Sequence, residues 1–485
     1  MKYIFIILFM GIYACRKESA APDIPAEGTR MQLSLDSLFL YARETYLWHH
    51  SLPGYQQFNP RQYDQTNNGF NDMQMALKGI AAYSYDRPGG IVREFRNGNA
   101  HPLYSYITKK SAVNNQETAT GLQQISYGLG LGWMMVNEEN VYVSYVEKNS
   151  PAYTAGVRKG MQLTSINGQP VKHISDLNHY INMTSINGDF KKEDGSLRSI
   201  NIIAQTYSSD PVLQYETWRI KNKSIGYLAF SAFNKLDGSK IRIDEVFNHF
   251  STKEIEALII DLRYNTGGYV KTVAYIANQI APASLTGKVM YSEHFNELLQ
   301  NRNAPILKSI PYLDESGQQV YLNGRAATFA DIDFSINGNT SKFNSASKLN
   351  RLSTIIFIVN ATTASASELL INSFKPYLNV KLVGEKTYGK PVGFFGINID
   401  QFTVYLAQFN IKNALGQGDY FDGIPVDIPA QEEPGKELGD TTENNLAKAI
   451  EYITTGNVSS SVSQRRVLKL EPVLINKFVG MIKEL

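Results

Sequence analysis

The sequence predicts an α/β protein, and three observations carry that expectation. Four mainly apolar runs, Ile225–Phe230, Ala257–Ile260, Ile355–Val359 and Val380–Val383, read as strands, and the unbroken Ile355–Val359 as one buried on both faces of a parallel sheet. Helical spacing fills the gaps at Ile241–Phe250, at Val273–Ile280, and from Ala366 through Leu369, Leu370 and Phe374 to the stop at Pro376. Small, hydroxyl-bearing and glycine residues gather where two of these strands end, at Asp261–Gly268 and Thr362–Ser367.

The chain has 485 residues, so length alone suggests about three folding units. A hydrophobic content of 43% and a charged content of 19% exclude disorder of the chain as a whole. The net charge of +2 comes without a long basic run, which argues against nucleic acid as a partner. The single cysteine, Cys15, forbids intrachain disulfides.

Lys2 followed by the apolar run Ile4–Met10 and by Ile12-Tyr13-Ala14-Cys15 reads as a secretory signal over residues 1–15, too short for a lasting membrane span. The last four residues resemble a bacterial lipobox, which implies lipidation of Cys15 and a body tethered to the outer side of a bacterial membrane, periplasmic or surface-exposed. An ordinary signal that discards the cysteine is the alternative. Residues 16–30, with Pro22 and Pro25, then form a tether.

Leu35, Leu38, Phe39, Ala42 and Tyr46, then Met73, Leu77, Ile80 and Ala81, recur at helical spacing and predict a small N-terminal helical domain over residues 31–116. Its histidines, His49, His50 and His101, lack a second ligand at a metal-binding spacing, and no metal or cofactor is expected. From residue 121 to 205 the character changes. Tyr127-Gly128-Leu129-Gly130-Leu131-Gly132 precedes the alternating strand Val141–Val146. Ser150-Pro151-Ala152, Ala155-Gly156 and Gly160–Gly168 follow. The glycine spacing and the strand after it do not fit a dinucleotide fingerprint. This run resembles a PDZ domain, which implies capture of an extended peptide by strand addition at the loop Leu129, Gly130 and Leu131. A PDZ fold kept only as a spacer is the other reading.

The α/β region spans residues 206–455. Gly267 and Gly268 end a strand, where they suit either an oxyanion-binding backbone or a tight turn. Ser365 begins a helix, as a nucleophile near unpaired backbone N–H groups or as the cap in a Ser365-x-x-Glu368 box. Lys390 follows the next strand in Gly384-Glu385-Lys386-Thr387-Tyr388-Gly389-Lys390. The polar stretch 281–350 is expected to be an insertion covering the substrate, Phe402–Phe409 a further strand, Thr442–Ile453 a closing helix, and residues 456–485 a linker and amphipathic tail.

With Gly423-Ile424-Pro425-Val426-Asp427, these motifs in this order resemble the C-terminal processing peptidases, serine proteases of family S41, over roughly residues 120–455. The resemblance implies a crotonase-like core beside the PDZ domain, with Ser365 as nucleophile and Lys390 as base. It also implies an oxyanion hole from the N–H of Ala366 and of Gly267 or Gly268, and polypeptide substrates. Pro391 and Phe394 stand where many members have Gly and a lysine-orienting Gln. The departure leaves open which group orients Lys390. It also keeps His101 as an alternative base, and a catalytically silent peptide-binding lipoprotein as the alternative function. An acyl-CoA enzyme on the same core would need neither the PDZ segment nor the lysine.

Overall fold

The structure, a computed structural model, describes residues 24–87, 89–96, 100–110, 125–173, 176–177, 183–314, 317–458, 469–473 and 480–483. Cys15 and the expected signal lie outside these residues. A mixed sheet forms the centre. Its strands run in the order Val212–Ile220, Lys223–Phe230, Ala257–Asp261, Thr354–Val359, Asn379–Gly384 and Ile428–Pro429. The first pair is antiparallel and the rest are parallel, with Ile260 opposite Phe357 and Ile358 opposite Val383.

Alternation along the strands sends neighbouring side chains to opposite faces. Leu258, Ile260, Ile355 and Phe357 join Val246, Ile276 and Leu369 of the helices Leu236–Thr252, Val270–Ile280 and Ala366–Phe374 in one cluster. Ile259, Ile356 and Ile358 face the other way, against Leu446, Ala449 and Ile450 of the helix Asn444–Thr455. The apolar runs lack alternation because both faces are covered.

The N-terminal helices Arg30–Thr45 and Gly69–Ala81 bury Leu35, Phe39, Met73 and Leu77 in the first of these clusters rather than in a core of their own. Tyr106–Lys109 pairs antiparallel with Phe402–Tyr405. The expected strand Phe402–Phe409 is in fact two. Phe402–Tyr405 belongs to one small sheet, and Phe409–Lys412 pairs with Val289–Phe295 in another. Between them Ala407 bonds outward, its N–H to Ser105 Oγ at 3.0 Å and its carbonyl to Leu47 N at 2.8 Å. Within the polar stretch 281–350, Phe295, Phe334, Phe343 and Leu349 are buried in the main cluster.

The PDZ sheet runs Leu131–Val136, Asn140–Val146, Gln162–Ile166, Ser185–Lys191 and Leu197–Ile203. Its strand Leu131–Val136 is two-faced. Trp133 and Met135 enter the PDZ core, while Met134 and Val136 pack in the cluster beneath the central sheet. A buried polar network reinforces this junction. Lys159 Nζ lies 3.1 Å from Glu432 and donates to Lys436 O at 2.6 Å. The same Glu432 accepts from Tyr264 and lies 3.7 Å from Arg263, whose guanidinium also holds Asp261 at 2.7 Å and Glu443 at 3.1 Å.

Removing one member of such a network strands buried charge. Glu432→Ala should therefore destabilise the chain by about 3 kcal/mol, read as a lowered denaturation midpoint.

Candidate active site

Two strand ends meet at this site, and short hydroxyl side chains tie them together. Thr362 Oγ1 donates to Arg263 O at 2.6 Å, Thr363 Oγ1 to Leu262 O at 2.9 Å and Ser367 Oγ to Asn265 O at 3.1 Å. Valine in place of Thr362 would fill the space but take that donor from the buried Arg263 carbonyl, whereas the Leu262 carbonyl also accepts from Asn265 N at 3.0 Å. Ser365 sits between them at φ 59°, ψ −110°, a conformation L-residues avoid. Such strain costs about 1–3 kcal/mol and persists only where the surroundings impose it. The result is a serine turned sharply between a strand and a helix, the local shape of a nucleophile elbow. Ser365 Oγ is buried and has no hydrogen-bond partner among the described residues.

Glu368 imposes the turn. The Ser365-x-x-Glu368 pattern is arranged as a capping box, and Ser365 N–H donates to Glu368 Oε2 at 2.8 Å. The same oxygen accepts from Lys390 N at 2.8 Å. Its twin, Oε1, accepts from Thr387 Oγ1 at 2.6 Å and from Gly389 N at 2.7 Å. One buried carboxylate therefore brings the backbones of Ser365 and Lys390 side by side. Burial pushes its pKa up, and these four donors oppose that shift. The capping and site readings are thus one arrangement: the cap residue's partner is the clasp that holds the lysine loop.

Lys390 is fully buried, and its Nζ donates to Tyr104 O at 3.1 Å. The Phe394 ring lies 4.7 Å from Nζ and the Tyr104 ring 5.8 Å. Burial pushes the amine down to about 7, although the charges of Glu94 and Glu368 and the two ring faces favour its protonated form. Phe394 thus supplies a dry wall beside Nζ, and a backbone carbonyl orients the amine. That carbonyl comes from the N-terminal segment. Buried Glu94 accepts from Tyr104 N at 2.8 Å and Ser105 N at 3.2 Å. Arg96 reaches across to Tyr388 O at 2.9 Å and Gly389 O at 2.8 Å, clamping the lysine loop. No motif in the sequence pointed to Glu94, Arg96 or Tyr104, because they act through main-chain atoms almost 300 residues away in the chain.

The other predicted positions fall as follows. Ala366 is the first residue of its helix, so its N–H has no intrahelical acceptor. Gly267 and Gly268 have φ of 121° and 142° and form a short strand, Gly267–Tyr269. At φ 121° a methyl group on Gly267 would stand 2.2 Å from Gly480 O and 3.1 Å from Ser365 Cβ, so the backbone conformation and the clash with that carbonyl require glycine here. Gly267 N–H donates to Asn265 Oδ1 at 2.9 Å, a bond it would have to exchange to hold an oxyanion. His101 is exposed. Leu129, Gly130 and Leu131 lie far along the chain on the PDZ domain, tied to its short helix by Ala152 N to Leu129 O at 3.0 Å and Ser150 Oγ to Gly130 O at 3.3 Å.

Replacing Glu368 by Gln puts an amide where carboxylate oxygens accept four donors. Glu368→Gln should lose about 2–4 kcal/mol of stability, measured by urea unfolding, with the circular dichroism of the folded state retained.

With this geometry in view, the chain was compared with known proteins. Residues 224–429 match the profile of peptidase family S41, and residues 142–191 that of a PDZ domain. The carboxy-terminal processing protease CtpB of Bacillus subtilis is 24% identical over 359 residues, covering 67% of this chain and 62% of that protein. A CtpA-like serine protease of Staphylococcus aureus is 22% identical over 308 residues, covering 62% of this chain and 51% of that protein. The matched stretch thus spans between half and two thirds of these relatives. The fold resembles that of a Bacteroides fragilis protein described as an S41 protease, with a TM-score of 0.58 and 20% identity over 86% of this chain and 97% of that one. Residues 224–429 thus carry the peptidase family S41 domain, and residues 142–191 a PDZ domain.

Proposed function

We propose that this chain is a serine endopeptidase that cuts exported polypeptides, with Ser365 as nucleophile and neutral Lys390 as general base. One observation carries the reading. A buried hydroxyl with no hydrogen-bond partner among the described residues and a buried amine lowered to about 7 extend from backbones held by the same Glu368 oxygen. An ammonium cannot accept a proton, so a lysine base needs this kind of dry setting. Lys390 takes the Ser365 proton as Oγ bonds to the substrate carbonyl carbon, and the π pair moves to oxygen. The N–H of Ala366, together with that of Gly267 or Gly268, meets the resulting oxyanion. Collapse breaks the C–N bond, and Nζ passes its proton to the departing amine. Water, deprotonated by the same lysine, then releases the acyl group. The exposed position of His101 supports Lys390 as the base in preference to it.

Casein is a suitable unfolded substrate. Ser365→Ala and Lys390→Ala should each lower kcat/KM by about a thousandfold or more, while His101→Ala stays within about twofold of the parent. The active form is the deprotonated amine, present above its lowered pKa and lost as pH falls through it. The parent's kcat/KM should therefore rise about tenfold per pH unit up to roughly pH 7 and level off above. The alternative of a silent peptide binder draws on the complete burial of Ser365 and Lys390. Equal cleavage by parent and Ser365→Ala, or none by either, would favour it.

The proposal includes substrate capture at the PDZ loop Leu129–Leu131 and lipid anchoring through Cys15, the latter supported by the pattern Lys2, Ile4–Met10 and Ile12–Cys15. Among the described residues no helix is long and apolar enough to cross a membrane. Cys15→Ser should move the chain from the membrane fraction to the soluble exported fraction, as seen by fractionation and immunoblot.

A further inference from the structure

The end of the chain enters the candidate active site as a strand. Gly480–Ile482 pairs in parallel with Gly267–Tyr269, placing Gly480 opposite Gly267. On its other side, Phe394 N–H donates to Met481 O at 3.1 Å and Lys483 N–H to Phe394 O at 3.0 Å. The segment is therefore a middle strand, wedged between the glycines beside Ser365 and the residue whose ring covers Lys390. A methyl group on Gly267 would stand 2.2 Å from Gly480 O and 3.1 Å from Ser365 Cβ, so a tail carbonyl and the nucleophile's own carbon adjoin one side of the same residue. Met481 is fully buried, and Lys483 is anchored by an ion pair to buried Glu293 and by a bond to Asn339 Oδ1 at 2.8 Å.

A second stretch of the same tail behaves alike. Leu470–Val473 adds to the outer edge of the PDZ strand Leu131–Val136, antiparallel, with Val473 opposite Trp133 and Leu470 opposite Val136. That edge strand leads directly out of the loop Leu129–Leu131. Open edges of this kind bind extended peptides through main-chain hydrogen bonds, with affinity largely independent of sequence.

We propose that the two C-terminal strands, Leu470–Val473 and Gly480–Ile482, are a built-in peptide ligand, the first on the PDZ edge and the second in the strand slot beside Ser365. It holds the enzyme closed until an extended polypeptide displaces it. The inference rests on the peptidase reading of the Ser365 site. It explains why Ser365 and Lys390 are fully buried in a chain that must admit a polypeptide. It also assigns the slot between Gly267–Tyr269 and Phe394 to a peptide in extended conformation, running parallel to Gly267–Tyr269 and carrying apolar side chains where Met481 and Ile482 now lie.

The test uses the full-length chain and the chain ending at Lys469. Lys483→Ala removes the anchoring ion pair but keeps the strand's backbone. Its rate at low substrate should rise threefold or more, and a synthetic peptide of residues 470–485 added in trans should bring the rate back down. The chain ending at Lys469 should show the larger rise and the same inhibition. Rates unchanged or lowered in both, with thermal midpoints unchanged, overturn the proposal and leave the tail as a permanent strand of the fold. So does unfolding of the shortened chain together with an unchanged Lys483→Ala rate. A readout independent of cleavage is hydrogen exchange in full-length Ser365→Ala with saturating casein peptides. Amides of residues 480–483 should exchange at least tenfold faster when peptide is bound, and peptide binding without that change overturns the displacement. If the tail is displaced but no form cleaves casein, the Ser–Lys chemistry fails while the tail inference stands.

Discussion

The Glu368 carboxylate is the contact on which the rest of the site depends. It spends one oxygen on the backbone N–H groups of Ser365 and Lys390 and the other on Thr387 and Gly389. A strained serine and a lysine 25 positions later in the chain are thus held by a single rigid group. Because the acceptor is charged and buried, each bond is stronger than its exposed equivalent, and none can be exchanged for water. The same arrangement explains why a helix cap and a candidate nucleophile coincide: the unpaired donors of a helix start need an acceptor, and this one reaches the neighbouring strand as well.

The lysine is prepared by what surrounds it. Burial lowers its pKa against the opposing charges of Glu94 and Glu368, while the Tyr104 carbonyl fixes its direction. Glu94 and Arg96 secure that carbonyl and the lysine loop from the N-terminal segment. The N-terminal helices share the central hydrophobic cluster, so the segment that orients Lys390 is anchored to the same core that positions it.

The central sheet carries a different partner on each face. One face holds the helices that build the site. The other meets the closing helix and the PDZ strand Leu131–Val136, which belongs to two cores at once. The C-terminal tail touches both working regions, lying on the outer edge of that PDZ strand and beside Ser365. One C-terminal strand thus lies on the PDZ edge and another beside the candidate nucleophile.

Local patterns determined a good deal. Apolar runs without alternation identified the buried parallel strands. The hydroxyl and glycine clusters marked the strand ends where Ser365, Gly267 and Gly268 meet, and the motif order pointed to an S41 core with a PDZ domain. Each of these signals reflects a requirement that neighbouring residues satisfy among themselves. Tertiary structure decided what depends on contacts between distant residues. It set the Tyr104 carbonyl against the Lys390 amine, made Glu368 a clasp as well as a cap, and split Phe402–Phe409 between two sheets. It also put Gly480–Ile482 beside the candidate nucleophile. Backbone carbonyls and strand edges look alike in every residue, so no pattern of side chains announces which of them will be used.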